Sequence, residues 1–466
     1  MSHLCFLQQV GVVENDPISQ ADAVLSMNHV FPRHNLAPPV KAIRGEGCYL
    51  YDDAGKEYFD GSGGAAVSCL GHGDPEIVQA IKDQAESLAY AHTGFFTSDP
   101  AEALADLLIQ HAPGNLDRVY FVSGGSEAVE AALKLARQYY LEIGEPQRRH
   151  VIARRQSYHG NTLGALATGG NAWRRANFEP ILMDVSHIAP CYEYVDRAIG
   201  ETPYAYGQRV AQELEDEILR LGRDSVIAFV AEPVVGATMG AAPAVEGYFQ
   251  RIRQICDQYG VLLILDEVMC GMGRVGQLFA CDADSVTPDI LCIAKGLGAG
   301  YQPIGAMLCT DRIYDAISNG SGFFQHGHTY LGHPVACATS LAVVKAILGR
   351  GLVPKVQEQG EKLSKVLSER FGQHPHVGDI RGRGLFRGIE FVEDRETKTP
   401  FAPTKNVAGR FKKAAFEAGL ICYPMRGTRD GNLGDHVLLA PPFIISDEQI
   451  GEVADKLSVA CDNVFA

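Results

Sequence analysis

The chain has 466 residues, 46 % of them hydrophobic and 21 % charged, with 41 basic against 56 acidic side chains and a formal net charge of −15. That length exceeds what one hydrophobic core supports and implies two domains, and the apolar content excludes disorder across the bulk of the chain. The acidic excess argues against a broad nucleic-acid or anionic-membrane surface, because both would repel the protein at long range, yet it leaves room for a small basic pocket around one anionic ligand.

Twelve cysteines are spread along the chain with no Cys-x-x-Cys spacing, and Cys256, Cys292, Cys309 and Cys337 sit in apolar runs. There cysteine behaves as a small buried hydrophobe, so a structural zinc site or a disulfide framework fits poorly. Residues 1–10 lack the basic region and apolar stretch of a secretory signal. No apolar run approaches the roughly 20 residues that span a bilayer. The expectation is a reduced, cytoplasmic enzyme that engages neither membrane nor nucleic acid.

In chain order, the first 30 or so residues read as a polar arm. Residues 41–60 read as paired strands around the turn Asp52-Asp53-Ala54-Gly55. Asp99-Pro100 opens a helix, with Asp99 as its expected cap. Residues 118–122 form a short strand, followed by a glycine turn and a helix over 127–140 that places Ala132, Leu135, Ala136 and Tyr139 on one face. The runs 226–230 and 261–265 are apolar throughout, as strands covered on both faces must be. Strands and helices alternate over 74–346, which indicates an α/β domain with a mostly parallel sheet. Residues 347–466 read as a smaller α+β domain, and residues 1–73, arm and hairpin, are assigned to that smaller domain as well.

The chemistry centres on two residues. Asp266 ends the buried run 261–265, where open α/β sheets place ligands. Lys295 leaves a second apolar run, 290–294 after Asp289, into Gly296-Leu297-Gly298. Desolvation there favours its neutral, nucleophilic amine. An amine nucleophile with a buried carboxylate is what a pyridine aldehyde cofactor requires: the lysine forms the Schiff base, and the carboxylate keeps the ring nitrogen protonated. Taken singly, each has a plainer role as a helix-end cation or a strand-end cap. Ser123-Gly124-Gly125-Ser126-Glu127-Ala128, between strand and helix, supplies a glycine-lined helix N-terminus suited to a phosphate, or else a plain capping turn.

Two patterns are set aside. Gly271-Met272-Gly273-Arg274-Val275-Gly276 matches the dinucleotide pattern, but no long helix follows it. His326, His328 and His333 have no carboxylate or cysteine nearby in sequence to complete a metal site.

Six ordered motifs carry a resemblance: Ser123–Ala128, Ser157-Tyr158-His159-Gly160, Ala231-Glu232-Pro233, Leu265-Asp266-Glu267-Val268, Ala294-Lys295-Gly296, and His328-Thr329-Tyr330 with His333-Pro334. Together they resemble the class III, or omega, aminotransferases, over about residues 31–445. The resemblance implies the fold-type I pyridoxal-phosphate architecture, with a mostly parallel seven-stranded-type sheet. It implies that Lys295 holds pyridoxal 5'-phosphate and carries the proton at the substrate carbon, and that Asp266 pairs with the pyridine nitrogen. Gly125 and Ser126 would bind phosphate. Tyr158 would stack on one ring face and Val268 on the other, or both would be simple core. His159 and Glu232 join the cofactor set, and Thr329 would reach the phosphate of a neighbouring subunit. A homodimer with shared sites follows, with a tetramer left open.

Ornithine- and GABA-type members carry glutamine where Met269 stands, which leans toward the omega-amino acid:pyruvate branch. In that branch a loop arginine reads the substrate carboxylate; Arg426 is the candidate, with Arg429 second. The expected reaction is ping-pong amino transfer from an amine to pyruvate or 2-oxoglutarate. The rivals are an aminomutase, a racemase or a decarboxylating transaminase of the same fold, and a non-catalytic binding protein that retains it.

Overall fold

The computed structural model describes residues 29–31, 33 and 39–466. The arm expected at the N-terminus lies almost entirely outside them. Residues Ala42–Ala466 form one compact unit.

Its centre is a seven-stranded sheet. In spatial order the strands are Leu116–Val122, Gly305–Thr310, Ile290–Ile293, Leu262–Asp266, Val226–Ala231, His150–Arg154 and Ser186–Ile188. Gly305–Thr310 runs antiparallel to both its neighbours, and the other six strands share one direction. Every residue of Val226–Ala231, Leu262–Asp266 and Ile290–Ile293 is buried. The apolar composition is the cause: helices cover both faces, and each fully buried Val, Leu or Ile contributes about 1.5–3 kcal/mol of transfer free energy. Gly125–Glu142 is one such helix, and Ala132, Leu135, Ala136 and Tyr139 are all buried along it. On the other side, Pro203–Leu221 and Tyr248–Tyr259 pack against each other and the sheet core.

The helix expected from Asp99-Pro100 spans Asp99–His111, with Ser98 rather than Asp99 in the extended cap position. A four-stranded antiparallel sheet is built from Val377–Arg383, Phe386–Phe391, Asp435–Leu439 and Tyr423–Arg426. The N-terminal strands Ala42–Glu46, Tyr49–Asp52 and Glu57–Asp60 form a second small sheet, whose fourth member is Leu420–Ile421.

The dinucleotide-like loop has another use. Gly273 and Gly276 turn at φ 94° and 88°, and a short 3-10 turn, Ala280–Asp284, follows instead of a long helix. Between those glycines Arg274 is fully buried; its guanidinium donates to the Pro441 carbonyl (2.5 Å) and lies 4.5 Å from the Phe443 ring centroid. The loop thus ties the sheet to the C-terminal region.

Candidate active site

Five of the six co-directional strands deliver a motif past their carboxyl ends, and these motifs line one cavity of about 470 Å³. Leu116–Val122 leads to Gly125 and Ser126, His150–Arg154 to Tyr158 and His159, and Val226–Ala231 to Glu232. Leu262–Asp266 leads to Asp266 and Val268, and Ile290–Ile293 to Lys295. The convergence follows from topology, since side chains at the carboxyl edge of a parallel sheet face a common crevice.

Asp266 is buried and held by two donors. His159 Nδ1 donates to Oδ2 at 2.8 Å, and the Val268 backbone N–H donates to Oδ1 at 2.9 Å. His159 Nε2 is buried without a partner. Glu232 accepts the backbone N–H groups of Gly236 (3.1 Å) and Tyr158 (3.3 Å), and burial raises its carboxyl above the ordinary range despite His159 nearby. The next carboxylate, Glu267, faces away: it accepts the backbone N–H groups of Ala280 (2.6 Å) and Cys281 (2.8 Å), and burial pushes it up to about 7. One carboxylate of the Asp266-Glu267 pair borders the cavity, and the other pins a turn.

Lys295 follows its strand at φ 45°, a left-handed conformation uncommon for a side chain of this size. Burial lowers its ammonium to about 8, although Asp266 and Glu232 pull the other way. At that value an appreciable fraction of the amine is neutral near physiological pH, as a nucleophile requires.

The opposite wall is the N-terminus of the 18-residue helix Gly125–Glu142, where no side chain caps the helix. Its first N–H groups and the positive end of its dipole therefore remain available to an anion. Only glycine fits at 125: a Cβ there would stand 2.7 Å from Val268 Cγ1. At Gly160, φ +136°, a Cβ would meet Ser126 Oγ at 2.6 Å. An anion cradle, an amine of lowered basicity, an anchored carboxylate and an unpartnered buried imidazole nitrogen together fit a phosphorylated pyridine aldehyde.

The class-III aminotransferase family profile matches residues 30–461. The chain belongs to the class III aminotransferases. This aminotransferase is 46 % identical over 459 residues to an uncharacterized aminotransferase of Schizosaccharomyces pombe, covering 98 % of this chain and 99 % of that one. Among solved structures, an (S)-enantioselective omega-transaminase from Thermomicrobium roseum superposes with TM-score 0.89 at 35 % identity, covering 94 % and 97 % of the two chains. An omega-transaminase from Pseudomonas jessenii in complex with PMP gives TM-score 0.88 at 32 % identity, covering 94 % and 96 %. The aminotransferase has the fold-type I architecture and uses pyridoxal 5'-phosphate to move amino groups between amine and keto-acid substrates by a ping-pong route.

Three sequence candidates lie away from the cavity. Thr329 is exposed and borders a separate groove with His92 and Phe323. Arg426 is exposed at the end of Tyr423–Arg426. Arg429 is committed elsewhere, its Nε donating to buried Glu390 at 2.9 Å. Sequence reasoning also missed part of the wall. Gln302, Pro303 and Ile304 line the cavity, and the glycine-rich text after Lys295 was the available signal. Arg174 does not itself line the cavity but lies behind that wall, its guanidinium carbon 4.6 Å from the Tyr158 ring centroid, and it carries no motif at all.

Met269 also borders the cavity and packs with Ala66, Val234 and Cys270. The wall beside Glu232 is therefore apolar at the position where a glutamine would have offered a donor.

Proposed function

We propose that Lys295 is the covalent anchor and the proton carrier of this aminotransferase, and that Asp266 is the partner of the cofactor's ring nitrogen. The observation that carries this reading is the meeting of the Lys295 amine and the doubly anchored Asp266 carboxylate in one cavity with an uncapped helix end. The bound cofactor supplies electron withdrawal from the substrate's amine-bearing carbon. Lys295 Nζ takes and returns the proton at that carbon. His159 and the Val268 N–H hold Asp266 in one rotamer, so its charge stays aimed into the cavity. Gly125 and Ser126 receive the phosphate, Tyr158 and Val268 sandwich the ring, and Glu232 borders it.

The same reading includes a cytoplasmic homodimer in which Thr329 completes the partner's phosphate site. Its support is an aromatic surface around Thr329: Phe95, Phe96, Phe323 and Tyr330 are 82 %, 65 %, 67 % and 60 % exposed. So many exposed aromatic side chains are costly in water and suit an interface. A tetramer would need a second such surface. The division into 1–73, 74–346 and 347–466 also belongs to this reading, supported by the separate sheets and by the pairing of Glu57–Asp60 with Leu420–Ile421. Pyruvate and 2-oxoglutarate are the proposed acceptors, and Arg426 the sequence candidate for their carboxylate.

Borohydride reduction of the holoenzyme followed by peptide mapping tests the core of this reading. The reduced adduct is expected on Lys295, and an adduct on another lysine would overturn the assignment.

A further inference from the structure

Strand His150–Arg154 ends against a short, tightly held element. A Cβ at Gly170 would stand 2.1 Å from the Arg154 carbonyl oxygen, so the chain passes there only as glycine. The next residue, buried Asn171, donates from Nδ2 to Gln156 Oε1 at 2.8 Å and accepts the Arg174 backbone N–H at 3.2 Å. The helical turn Ala172–Arg175 therefore starts from a fixed point, and Arg174 projects from it onto the ring of Tyr158, a wall of the cavity.

The Arg174 side chain is unlike most arginines of this protein. Arg148, Arg251, Arg253, Arg381, Arg383 and Arg429 each pair with a carboxylate, and neighbouring Arg175 meets His187 at 3.1 Å. Arg174 makes no ion pair among the described residues, and its Nε, like those of Arg154, Arg253 and Arg274, is buried without a partner; of these four only Arg174 lies over an aromatic ring of the cavity wall. A buried guanidinium nitrogen without an acceptor is costly unless a ligand supplies one. Its positive charge also reaches Lys295, where it opposes protonation of the amine. The loop that carries Arg429 packs against the same turn: a Cβ at Gly431 would lie 3.0 Å from the Trp173 backbone nitrogen.

We propose that Arg174 is the guanidinium that binds the substrate carboxylate at the Tyr158 wall of the cavity, selecting amine donors and keto acids that carry a carboxylate. A planar fork with free donors suits that anion, and stacking on Tyr158 keeps the fork oriented before substrate arrives. The proposal rests on the Lys295 reading above and names its substrate class. It moves the carboxylate-reading role from Arg426 to a residue held by buried anchors.

The test compares wild-type holoenzyme with R174Q, R174K and R426Q, using 4-aminobutanoate and its carboxylate-free counterpart 1-aminobutane as donors. Loss of the cofactor's visible absorbance in a single half-reaction reports each rate. In R174Q the ratio of kcat/KM for 4-aminobutanoate to that for 1-aminobutane is expected to fall about 10- to 100-fold, the worth of a charge-assisted hydrogen bond. The loss should fall mainly on KM, and R174K should restore part of it. An equal fall for both donors would reduce Arg174 to a support for Tyr158, and collapse of the ratio in R426Q but not R174Q would return the role to Arg426. Either result overturns the proposal.

A binding arm separates this inference from the reading it rests on. Trp173 is the single tryptophan of the chain and lies 5.9 Å from the Arg174 guanidinium. Titration of the holoenzyme with glutarate, a non-reactive dicarboxylate, should change Trp173 fluorescence saturably in wild type and not in R174Q. That outcome stands whether or not either donor turns over, and no saturable change in wild type would sink the proposal. A wild-type enzyme that binds glutarate but carries its borohydride adduct on another lysine would count against the Lys295 reading instead.

Discussion

Two regions of this aminotransferase bury charge, and they do it differently. In the C-terminal region Glu390 is fully buried, yet both its oxygens are engaged: Arg429 Nε (2.9 Å), Arg381 Nη1 (2.7 Å) and the Tyr192 hydroxyl all donate to it. Burial alone would raise its carboxyl, but the two guanidinium groups outweigh that and hold it below the ordinary range. At the cavity, Lys295 makes no ion pair among the described residues and has its charged form disfavoured, His159 Nε2 has no partner, and the facing helix has no cap. A buried charge cluster whose capacity is spent on the protein holds the fold together. One that keeps capacity in reserve is set up to receive a ligand, and the difference lies in the bonds left open rather than in the residue types.

Single substitutions can break that contrast. Lys295→Ala should leave the fold intact and cost about 10⁴-fold in turnover, because on the proposed reading it removes nucleophile and proton carrier together; steady-state rates with the visible spectrum check it. Asp266→Asn should keep most of the thermal stability and lose about 10²–10³-fold in kcat through the missing charge. Glu390→Ala should do the reverse. Leaving Arg429 without its carboxylate and Arg381 with Asp379 alone should cost about 3–5 kcal/mol in denaturant unfolding, while the folded fraction still binds cofactor. If Asp266→Asn unfolded the protein as severely as Glu390→Ala, the contrast would fail.

A smaller effect sharpens it by pH. His436 is fully buried; its Nδ1 meets Thr428 Oγ1 at 2.7 Å and its Nε2 the Ala237 carbonyl at 3.0 Å. Burial lowers it from 6.5 to about 3, with Arg381 adding to the shift. The folded state holds this imidazole neutral while the unfolded chain takes up a proton below about 6.5. Its stabilising contribution is therefore complete above that pH and is lost as pH falls toward 3. Between pH 6.5 and 5 the loss should be about 2 kcal/mol. His436→Asn removes that titration, so its unfolding free energy should depend less steeply on pH than that of wild type across this window.

Much of the site was legible because the chemistry sits at the ends of strongly apolar strands. Runs such as 261–265 and 290–294 have one reading as buried strands, and the polar residue that follows each must leave the core where ligands bind. Gly125 was legible for a related reason, since a glycine between strand and helix marks a close backbone approach, which Val268 turned out to require. The arginines were not legible. Nothing in the spacing of Arg426 and Arg429 says that the second pairs with Glu390, 39 residues earlier, or that Arg174 lies over Tyr158.

What the amino-acid order determined by itself was local: which segments are buried strands, which turn is rich in glycine, and which amine and carboxylate leave the core. Periodicity and composition act over a few residues, so a linear text can carry them. Only the tertiary structure decided which charges are spent and which stay free, because long side chains find partners across tens or hundreds of residues. Arg274 reaching the Pro441 carbonyl, Arg429 reaching Glu390 and Arg174 left without an anion are consequences of packing. A guanidinium reads the same in sequence whether it braces a sheet or waits for a carboxylate.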